Sequence, residues 1–372
     1  MIQQTNKAET RAGSNVSAAG FDPAKFGIAL VGLVIVLAVL LGGFIYLKGT
    51  TGVSILNAII AIIWGVVGVG ALYYTANSLI ESLPNVWRGR LLPYLFIGPA
   101  MGLLIWVLTL PTLRTLYQSF FNQDTTQFVG LSNYIATFTD SGMLESFRNN
   151  LIWIFAGTAS VVILGLLIAV LADRSKFETI AKALIFMPMA ISLVGAGVIW
   201  RFVYDARPVD QQQIGALNSI LVAFGIEPQA WLTLQPWNNF FLIVVQIWAG
   251  TGFAMVLFSA AIKGVPMDLQ EAARVDGATE IQAFFSIIIP YIQGTTITVA
   301  TTTAIGMLKI FDVVYVMTGG QYGTSVIGTE FYRQFFVNNN YGYGSAIAIV
   351  LFIAISPVLI YNVRQFGKQE GF

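Results

Sequence analysis

Two apolar stretches of the chain carry side chains suited to holding a polar, uncharged molecule. The stretch near 239–262 supplies an amide, aromatic rings, a glycine and a hydroxyl, namely Gln246, Trp248, Gly250, Thr251 and Phe253. The stretch near 288–310 supplies hydroxyls at i, i+3 and i+7, namely Thr295, Thr298 and Thr302. Amides and hydroxyls exchange hydrogen bonds with neutral polar groups, and aromatic faces cover C–H surfaces. We predict these residues as solute contacts; the alternative is that the threonines bond their own i−4 carbonyls and Trp248 marks a membrane interface.

A segment rich in charges lies between these two stretches. Pro266 suits the first turn of a helix, and Glu271 and Arg274 have the i, i+3 spacing of an ion pair on that helix. Gly277 can take the left-handed conformation that ends it. The pattern predicts a short helix that stops at a glycine turn.

A second helix is predicted directly after this turn. Thr279 and Gln282 form the capping-box pattern that begins a helix. Pro290 marks the place where this second helix bends into an apolar stretch. Residues 263–290 therefore predict a helix, a turn and a second helix.

The composition excludes most catalytic chemistry. The chain has no Cys and no His, which removes thiolate and imidazole metal sites, Cys/His nucleophilic pairs and histidine proton shuttles. The net charge of +1 and the lack of a long basic run leave no surface for nucleic acid. No G-x-x-x-x-G-K-[ST] sequence occurs, so the chain has no P-loop. We predict a protein that is not itself an enzyme and that has no cofactor or metal of its own.

Long uncharged stretches indicate a membrane protein. Residues of the 372-residue chain are 56% hydrophobic and 10% charged, against about 25% charged in soluble domains. About eight stretches are long enough to cross a bilayer. They lie near 26–47, 53–80, 91–113, 149–172, 183–203, 239–262, 288–310 and 343–363. The sequence predicts an all-α, polytopic membrane protein.

The positive-inside rule predicts that both termini are cytoplasmic. Of the nineteen Lys and Arg residues, only seven then lie on the external side. They are Lys48, Arg114, Arg148, Arg201, Arg207, Lys309 and Arg333. Lys309 and Asp312 are spaced to share a helix face near the external end of the seventh span, where we expect a local ion pair.

The organisation of the chain follows from these spans. We predict a disordered cytoplasmic tail at 1–25, a peripheral transmembrane hairpin with a linker at 26–90, and a cytoplasmic tail at 364–372. Between them, six spans at 91–363 form the main body. Its long external loops are 114–148, 204–238 and 311–342.

The charged segment resembles the EAA loop of ABC importer permeases. It contains Glu271-Ala272-Ala273, then Gly277 after three residues, Ile287 after nine more, and Ile289-Pro290. Only Ile289 departs from the family pattern, which has Leu there. In that family the first helix of the loop is a coupling helix seated in a cleft of the cytoplasmic ATPase.

This resemblance implies a type I ABC importer permease core at 91–363, with the EAA coupling loop at 263–290. It implies that contact with the ATPase is made by Glu271, Ala272, Ala273, Arg274, Asp276 and Gly277. The implied partners are a second homologous permease, a dimer of ATP-binding cassette ATPases that holds ATP and Mg, and an extracytoplasmic solute-binding protein. The implied location is the bacterial inner membrane.

Further segments resemble the sugar-importing branch of the family, in particular the larger permease of maltose-type systems. They include Val129-Gly130-Leu131-Ser132-Asn133-Tyr134, Phe186-Met187-Pro188, Phe311-Asp312-Val313-Val314-Tyr315 and Tyr341-Gly342-Tyr343-Gly344. The resemblance implies that the solute is a neutral sugar or glycoside. Polyols and glycerol phosphates stay open as alternatives.

Two rival functions differ in class. An ion-coupled secondary transporter would show intramembrane carboxylates or inverted repeats, and neither is evident in the sequence. A membrane enzyme acting on lipid-linked sugars would need a positioned acid, base or metal cluster, for which the scattered carboxylates give no pattern. Copurification of a P-loop protein separates the importer from both.

Overall fold

The computed structural model describes residues 21–49 and 55–369, which form helices and no β-strand within those ranges. The helices are α1 (Pro23–Gly49), α2 (Ile55–Glu81), α3 (Asn85–Gln118), α4 (Ser132–Thr139), α5 (Ser141–Asp173), α6 (Glu178–Ala190), α7 (Leu193–Val203), α8 (Ala216–Ala223), α9 (Asn238–Lys263), α10 (Met267–Val275), α11 (Glu280–Tyr291), α12 (Gln293–Leu308), α13 (Asp312–Thr318), α14 (Ile327–Tyr332) and α15 (Tyr341–Gln369).

Six of these helices are long and apolar enough to cross a membrane, and the number rises to eight if each of two bent pairs forms one span. The six are α1, α2, α3, α5, α9 and α15. The bent pairs are α6 with α7, at 102°, and α11 with α12, at 68°. The prediction of an all-α protein with about eight spans is confirmed.

The spans predicted at 183–203 and 288–310 are both bent, and only the bend near Pro290 was predicted from the sequence. The first follows Pro188, which lacks the N–H of a helical bond, and α7 begins afresh because the Ser192 side chain accepts from the N–H of Gly195 at 3.1 Å. The second lies at Ile292, two residues beyond the bend predicted at Pro290. A π-helical turn at Phe284–Ile288 precedes it. At each break the two helices therefore meet at an angle and do not form one straight span.

The described residues fall into two compact units that meet at Thr112 and Leu113. In the first unit, α1 and α2 lie side by side, and the indole N–H of Trp64 donates to the carbonyl oxygen of Val39 at 3.2 Å. The connection that we expected near Lys48 to Gly52 lies partly outside the described residues. The first unit therefore contains the paired helices α1 and α2 and the start of α3.

Helix α9 is the centre of the second unit. Buried side chains recur along its length, among them Leu242, Met255 and Phe258. At Gly252 a Cβ would come within 2.6 Å of the carbonyl oxygen of Ile185, so only glycine lets α6 approach α9 this closely. Helices α5, α6, α7 and α12 surround α9 and form the shared apolar core.

The predicted external loops and parts of the predicted tails contain helices. The stretches 114–148, 204–238 and 311–342 contain α4, α8, α13 and α14. Of the two predicted tails, residues 1–20 and 370–372 lie outside the described residues. Residues 23–25 and 364–369 are helical. The predicted long loops therefore contain four short helices.

Candidate functional site

A cavity of about 350 Å³ lies between α5, the corner of α6 and α7, α9 and α12. We call it the central cavity. Its walls are mainly apolar, with polar groups from α9 and α12. Pockets of this size are typical of small-molecule sites, where a few polar groups fix the ligand among apolar ones.

Four of the predicted solute contacts line the central cavity: Gln246, Gly250, Phe253 and Thr302. The Oε1 atom of Gln246 is buried and has no hydrogen-bond partner among the described residues. An unpaired buried acceptor costs about 1–3 kcal/mol, and Gln246 lines the cavity, so its amide can turn to exchange hydrogen bonds with a molecule there. Thr302 is exposed to the cavity on α12.

The other four predicted contacts do not line the cavity. The rings of Trp248 and Trp200 meet edge to face, with centroids 5.7 Å apart. The hydroxyls of Thr251 and Thr298 donate to the carbonyl oxygens of Ile247 and Gly294, at 2.6 and 3.0 Å. Thr295 is half-buried elsewhere on α12. The roles of these four residues as solute contacts stay predictions.

Sequence reasoning missed the wall that the corner of α6 and α7 supplies. Met189, Ile191 and Leu193 all line the cavity at this corner. Pro188 was the available signal, since a proline inside an apolar stretch breaks or kinks a helix. Thr303 and Gly306 on α12 and Val161 on α5 also line the cavity and were not among the predicted contacts. Which face of a helix meets a cavity depends on packing that the sequence does not display.

The charged segment has the predicted local structure. Helix α10 ends before Gly277, whose φ of 80° is the left-handed conformation that glycine favours. The Thr279 hydroxyl and the Gln282 side chain form both bonds of a capping box at the start of α11. The predicted helix, turn and second helix are therefore present.

The ion pair predicted between Glu271 and Arg274 is wrong. Arg274 instead reaches across the turn, and its NH2 atom lies 3.1 Å from Oε1 of Glu280 at the start of α11. Arg174, just after α5, lies 3.5 Å from Oε2 of the same carboxylate. The glycine turn brings Glu280 closer to Arg274 than the helix brings Glu271. All three side chains are largely exposed, so each pair contributes little to stability.

Helix α10 presents a face that remains exposed among the described residues. Val275 is 87% and Met267 66% exposed, and Glu271 and Ala272 are exposed beside them. Ala273 is buried and holds the opposite side of the helix against the chain. The segment thus offers a small mixed surface of apolar and acidic groups.

A cluster of polar side chains joins three helices close to this segment. It consists of Asp173, Glu178, Lys182, Ser259 and Lys263, which we call the ion cluster. The Lys182 ammonium lies 2.6 Å from Oε1 of Glu178, and the Ser259 hydroxyl donates to Oδ1 of Asp173 at 2.7 Å. The cluster ties the end of α5, the start of α6 and the end of α9, and each of these helices also lines the central cavity.

The predicted pair of Lys309 and Asp312 is not formed. Helix α12 ends at Leu308 and α13 begins at Asp312, so the two residues do not share a helix face. No ion pair joins them in the part of the chain that the structure describes.

Farther along the same end of the bundle, burial raises the pKa of Tyr204, whose hydroxyl donates to the carbonyl oxygen of Phe241 at 3.0 Å. That phenol stays protonated and fixes the end of α7 to α9.

Spans around a partly polar cavity, with an exposed helix-turn-helix segment at one end, define the membrane subunit of a transporter. The family model for the binding-protein-dependent transport system inner membrane component matches residues 129–366. The chain belongs to this family and is a multi-pass protein of the inner membrane.

Two characterised relatives match over most of their own length. The osmoprotective compounds uptake permease protein GgtC of Synechocystis sp. is 51% identical over 276 residues, which are 74% of this chain and 99% of the relative. The alpha-glucoside transport system permease protein AglF of Rhizobium meliloti is 41% identical over 332 residues, which are 86% of this chain and 99% of the relative. Both relatives are permease subunits.

The fold matches that of a solved importer. A chain of a bacterial ABC transporter involved in the import of the acidic polysaccharide alginate superimposes with a TM-score of 0.65 at 20% identity. The match covers 77% of this chain and 99% of that one. The predictions of an ABC importer permease fold, and of a transport subunit in place of an enzyme, are confirmed by these comparisons.

Proposed function

We propose that this permease carries a neutral sugar or glycoside through the central cavity. The observation that carries the proposal is the unpaired, buried Oε1 of Gln246 in a cavity that also contains Phe253 and Thr302. Hydroxyl groups of a sugar would donate to Gln246, and its C–H faces would lie on the ring of Phe253. The names of GgtC and AglF, which cite osmoprotective compounds and alpha-glucosides, support this class of solute.

The absence of charge at the cavity favours a neutral solute over an anionic one. No Asp, Glu, Lys or Arg is among the residues that line it in the described part of the chain. A buried anion without a cationic partner would carry a large desolvation cost. Glycerol phosphates are therefore disfavoured relative to sugars and uncharged polyols.

The coupling proposal concerns α10 and the turn after it. The exposed face around Glu271, Ala272 and Val275 would seat in a cleft of an ATPase subunit, with Arg274, Asp276 and Gly277 shaping the turn behind it. Ala273, which is buried, would transmit the position of α10 to the rest of the chain. ATP and Mg would be held by the ATPase pair, because this chain has no P-loop.

Transport requires further partners and two states. A second, homologous permease would complete the passage, and an extracytoplasmic solute-binding protein would deliver the solute, with both termini of this chain in the cytoplasm. Driving the complex from 1:99 to 99:1 in favour of the outward-open state needs about 5.5 kcal/mol of differential binding. ATP and the loaded binding protein together would supply it.

The proposed path is tested by two threonine substitutions on the same helix. Thr302 lines the cavity, whereas Thr298 is bonded to the carbonyl oxygen of Gly294 and does not line it. In the complete transporter reconstituted in nanodiscs or vesicles, we expect Thr302→Val to lower sugar uptake about three- to tenfold, as loss of one hydrogen bond does. Thr298→Val should leave uptake unchanged.

The solute class is tested with the wild-type complex. ATPase stimulation is measured with the binding protein loaded with sucrose, trehalose, maltose, a polyol or glycerol phosphate. Stimulation by one of the sugars supports the proposal. Stimulation by an anionic ligand alone, with every sugar inert, contradicts it.

A further inference from the structure

A second cavity, of about 290 Å³, lies at the other end of the bundle from the ion cluster. It is lined by Arg148, Asn149, Gln235, Asn238, Asn239 and Gly323, and we call it the asparagine pocket. Asn239 and Lys263 are twenty-four residues apart on one helix, so the pocket and the ion cluster are separated by about 36 Å along α9. In the predicted orientation the asparagine pocket faces the outside of the cell.

The walls of this pocket are held in place by buried amides. Asn149 is fully buried, and its Nδ2 donates to the carbonyl oxygens of Gly323 and Ser325 at 2.9 and 2.7 Å. Asn238 is 1% exposed, and its Nδ2 donates to the carbonyl oxygen of Tyr322 at 2.7 Å. The pocket is therefore built before any ligand arrives.

Asn239 points to a ligand. Its side chain is 5% exposed, and its Nδ2 donates to the carbonyl oxygen of Gly323 at 3.1 Å and to Oδ1 of Asn149 at 3.3 Å. Both partners are acceptors, which identifies the donating end of the amide, and Asn239 lines the pocket together with them. The Oδ1 atom of Asn239 is buried and has no donor among the described residues. A group that donates a hydrogen bond is needed to complete the site.

Arg148, which also lines the pocket, offers hydrogen-bond donors to a ligand. Its guanidinium donates to Oδ1 of Asn149 at 3.3 Å, and within the described residues it forms no ion pair. A guanidinium carries five donors and no acceptor, so Arg148 has donors to spare. A ligand in this pocket can therefore accept from Arg148 and donate to Asn239 at the same time.

Few chemical groups meet both needs. A carboxylate cannot donate and an ammonium cannot accept, whereas each hydroxyl does both. A peptide group also does both, but its N–H and C=O point in opposite directions because the bond is trans and planar. Neighbouring hydroxyls on a ring present a donor and an acceptor on one side. The volume is at the small end of the range for ligand pockets, which suits a single ring.

The pocket is aligned with the central cavity. Asn239 and Gln246 are seven residues apart on α9, which places them on one face of the helix about 10.5 Å apart along its axis. Both amides have a buried oxygen without a donor in the described residues. The same face of α9 thus carries two unfilled acceptors in succession, one at the asparagine pocket and one at the central cavity.

We infer that the asparagine pocket is an external subsite that binds one hydroxylated ring of the solute before that ring reaches the central cavity. This inference rests on the proposed function, since it takes the solute to be a sugar. Asn239 accepts from one ring hydroxyl and Arg148 donates to a neighbouring one. A substitution at the subsite should therefore weaken solute binding even when the central cavity has already lost Gln246.

The inference is tested by saturation-transfer NMR with methyl α-glucoside and the complete transporter in nanodiscs, without its binding protein. Gln246→Leu should retain a saturable signal that comes from the asparagine pocket. Adding Arg148→Met should raise the dissociation constant of that signal about tenfold, because one hydrogen bond to a charged group is lost. Arg148 is exposed, so its substitution leaves the core intact. Asn239→Leu is a second variant with the same expected result.

The outcomes separate the subsite from the transport function. The subsite is overturned if Gln246→Leu alone abolishes the signal. It is also overturned if Arg148→Met and Asn239→Leu leave the signal unchanged. In either case, sugar uptake by the wild-type transporter still supports the proposed function. Arg148→Met could instead weaken binding of the empty binding protein to the transporter without changing the dissociation constant of the glucoside. That result would assign the pocket to a loop of the binding protein and would also overturn the inference. Absence of sugar uptake by the wild type overturns both.

Discussion

The ammonium nitrogen of Lys182 lies 2.5 Å from Oδ1 of Asp173, and this contact joins the start of α6 to the end of α5. Both side chains are mostly buried, at 19% and 12% exposure. Ser259 on α9 completes the junction by donating to the same carboxylate oxygen. Three walls of the central cavity are therefore fastened together at one end, whereas α12, the fourth wall, is not part of the ion cluster.

We expect Lys182→Met to lower the free energy of unfolding by about 1–3 kcal/mol, because Asp173 would lose its main cationic partner in a mostly buried site. The measurement is the apparent melting temperature of the purified complex in detergent. Lys176→Met is the matched control, since Lys176 is exposed in the neighbouring turn, and it should change stability by less than about 0.5 kcal/mol. Adding Asp173→Asn to Lys182→Met should recover part of the loss. Equal melting temperatures for the two lysine variants would contradict a stabilising role for the ion cluster.

The predicted orientation is tested by single cysteines, for which the chain offers a background without any native cysteine. Thr126 and Lys176 are both exposed and lie at opposite ends of the spans. In intact cells, an impermeant maleimide should label Thr126→Cys and leave Lys176→Cys unlabelled until the membrane is permeabilised. The reverse pattern would place the ion cluster and α10 outside the cell and remove α10 from contact with an ATPase.

Gly277→Val should uncouple ATP hydrolysis from solute uptake. The substitution would strain the backbone, because φ at this position is 80°. It would cause no steric clash, since a Cβ here would meet no atom within 4 Å. A residue with a side chain pays about 1–2 kcal/mol in this conformation, and a β-branched residue is the least tolerant, so the turn between α10 and α11 should shift. Gly277→Asn is the control, since asparagine accepts the left-handed conformation more readily. The readout is the number of solute molecules imported per ATP hydrolysed, and equal ratios for the two variants would remove the turn from the coupling machinery.

Glu271→Gln should weaken docking of the ATPase without lowering the stability of the permease. Glu271 is exposed on α10, and the structure assigns it no ion pair within the described residues, so its charge is available to a partner. Glu280→Gln removes the carboxylate that pairs with Arg274 and Arg174, and we expect a stability change below about 1 kcal/mol because those pairs are exposed. The measurements are ATPase copurification and uptake, together with melting temperature. Normal copurification with Glu271→Gln would exclude that carboxylate from the docking surface.

Much of the coupling segment could be predicted because its signals are local. The left-handed glycine at Gly277 and the capping box of Thr279 and Gln282 depend on residues within one or two turns of each other. The pairing of Arg274 could not be predicted in the same way. Its partner depends on how far the chain turns back after Gly277, and the actual geometry favours Glu280 over the in-helix candidate Glu271.

The sequence by itself determined that about eight stretches are long and apolar enough to cross a membrane and to which family the chain belongs, because apolar runs and motif spacing are properties of the chain alone. The tertiary structure decided which polar groups meet a cavity. Thr298 and Thr302 have the same residue type and lie one turn apart, yet one bonds its own helix and the other lines the cavity. That difference, and the paired unfilled acceptors of Asn239 and Gln246, arise from how α5, α9 and the bent helices pack around one another, and helical periodicity does not encode it.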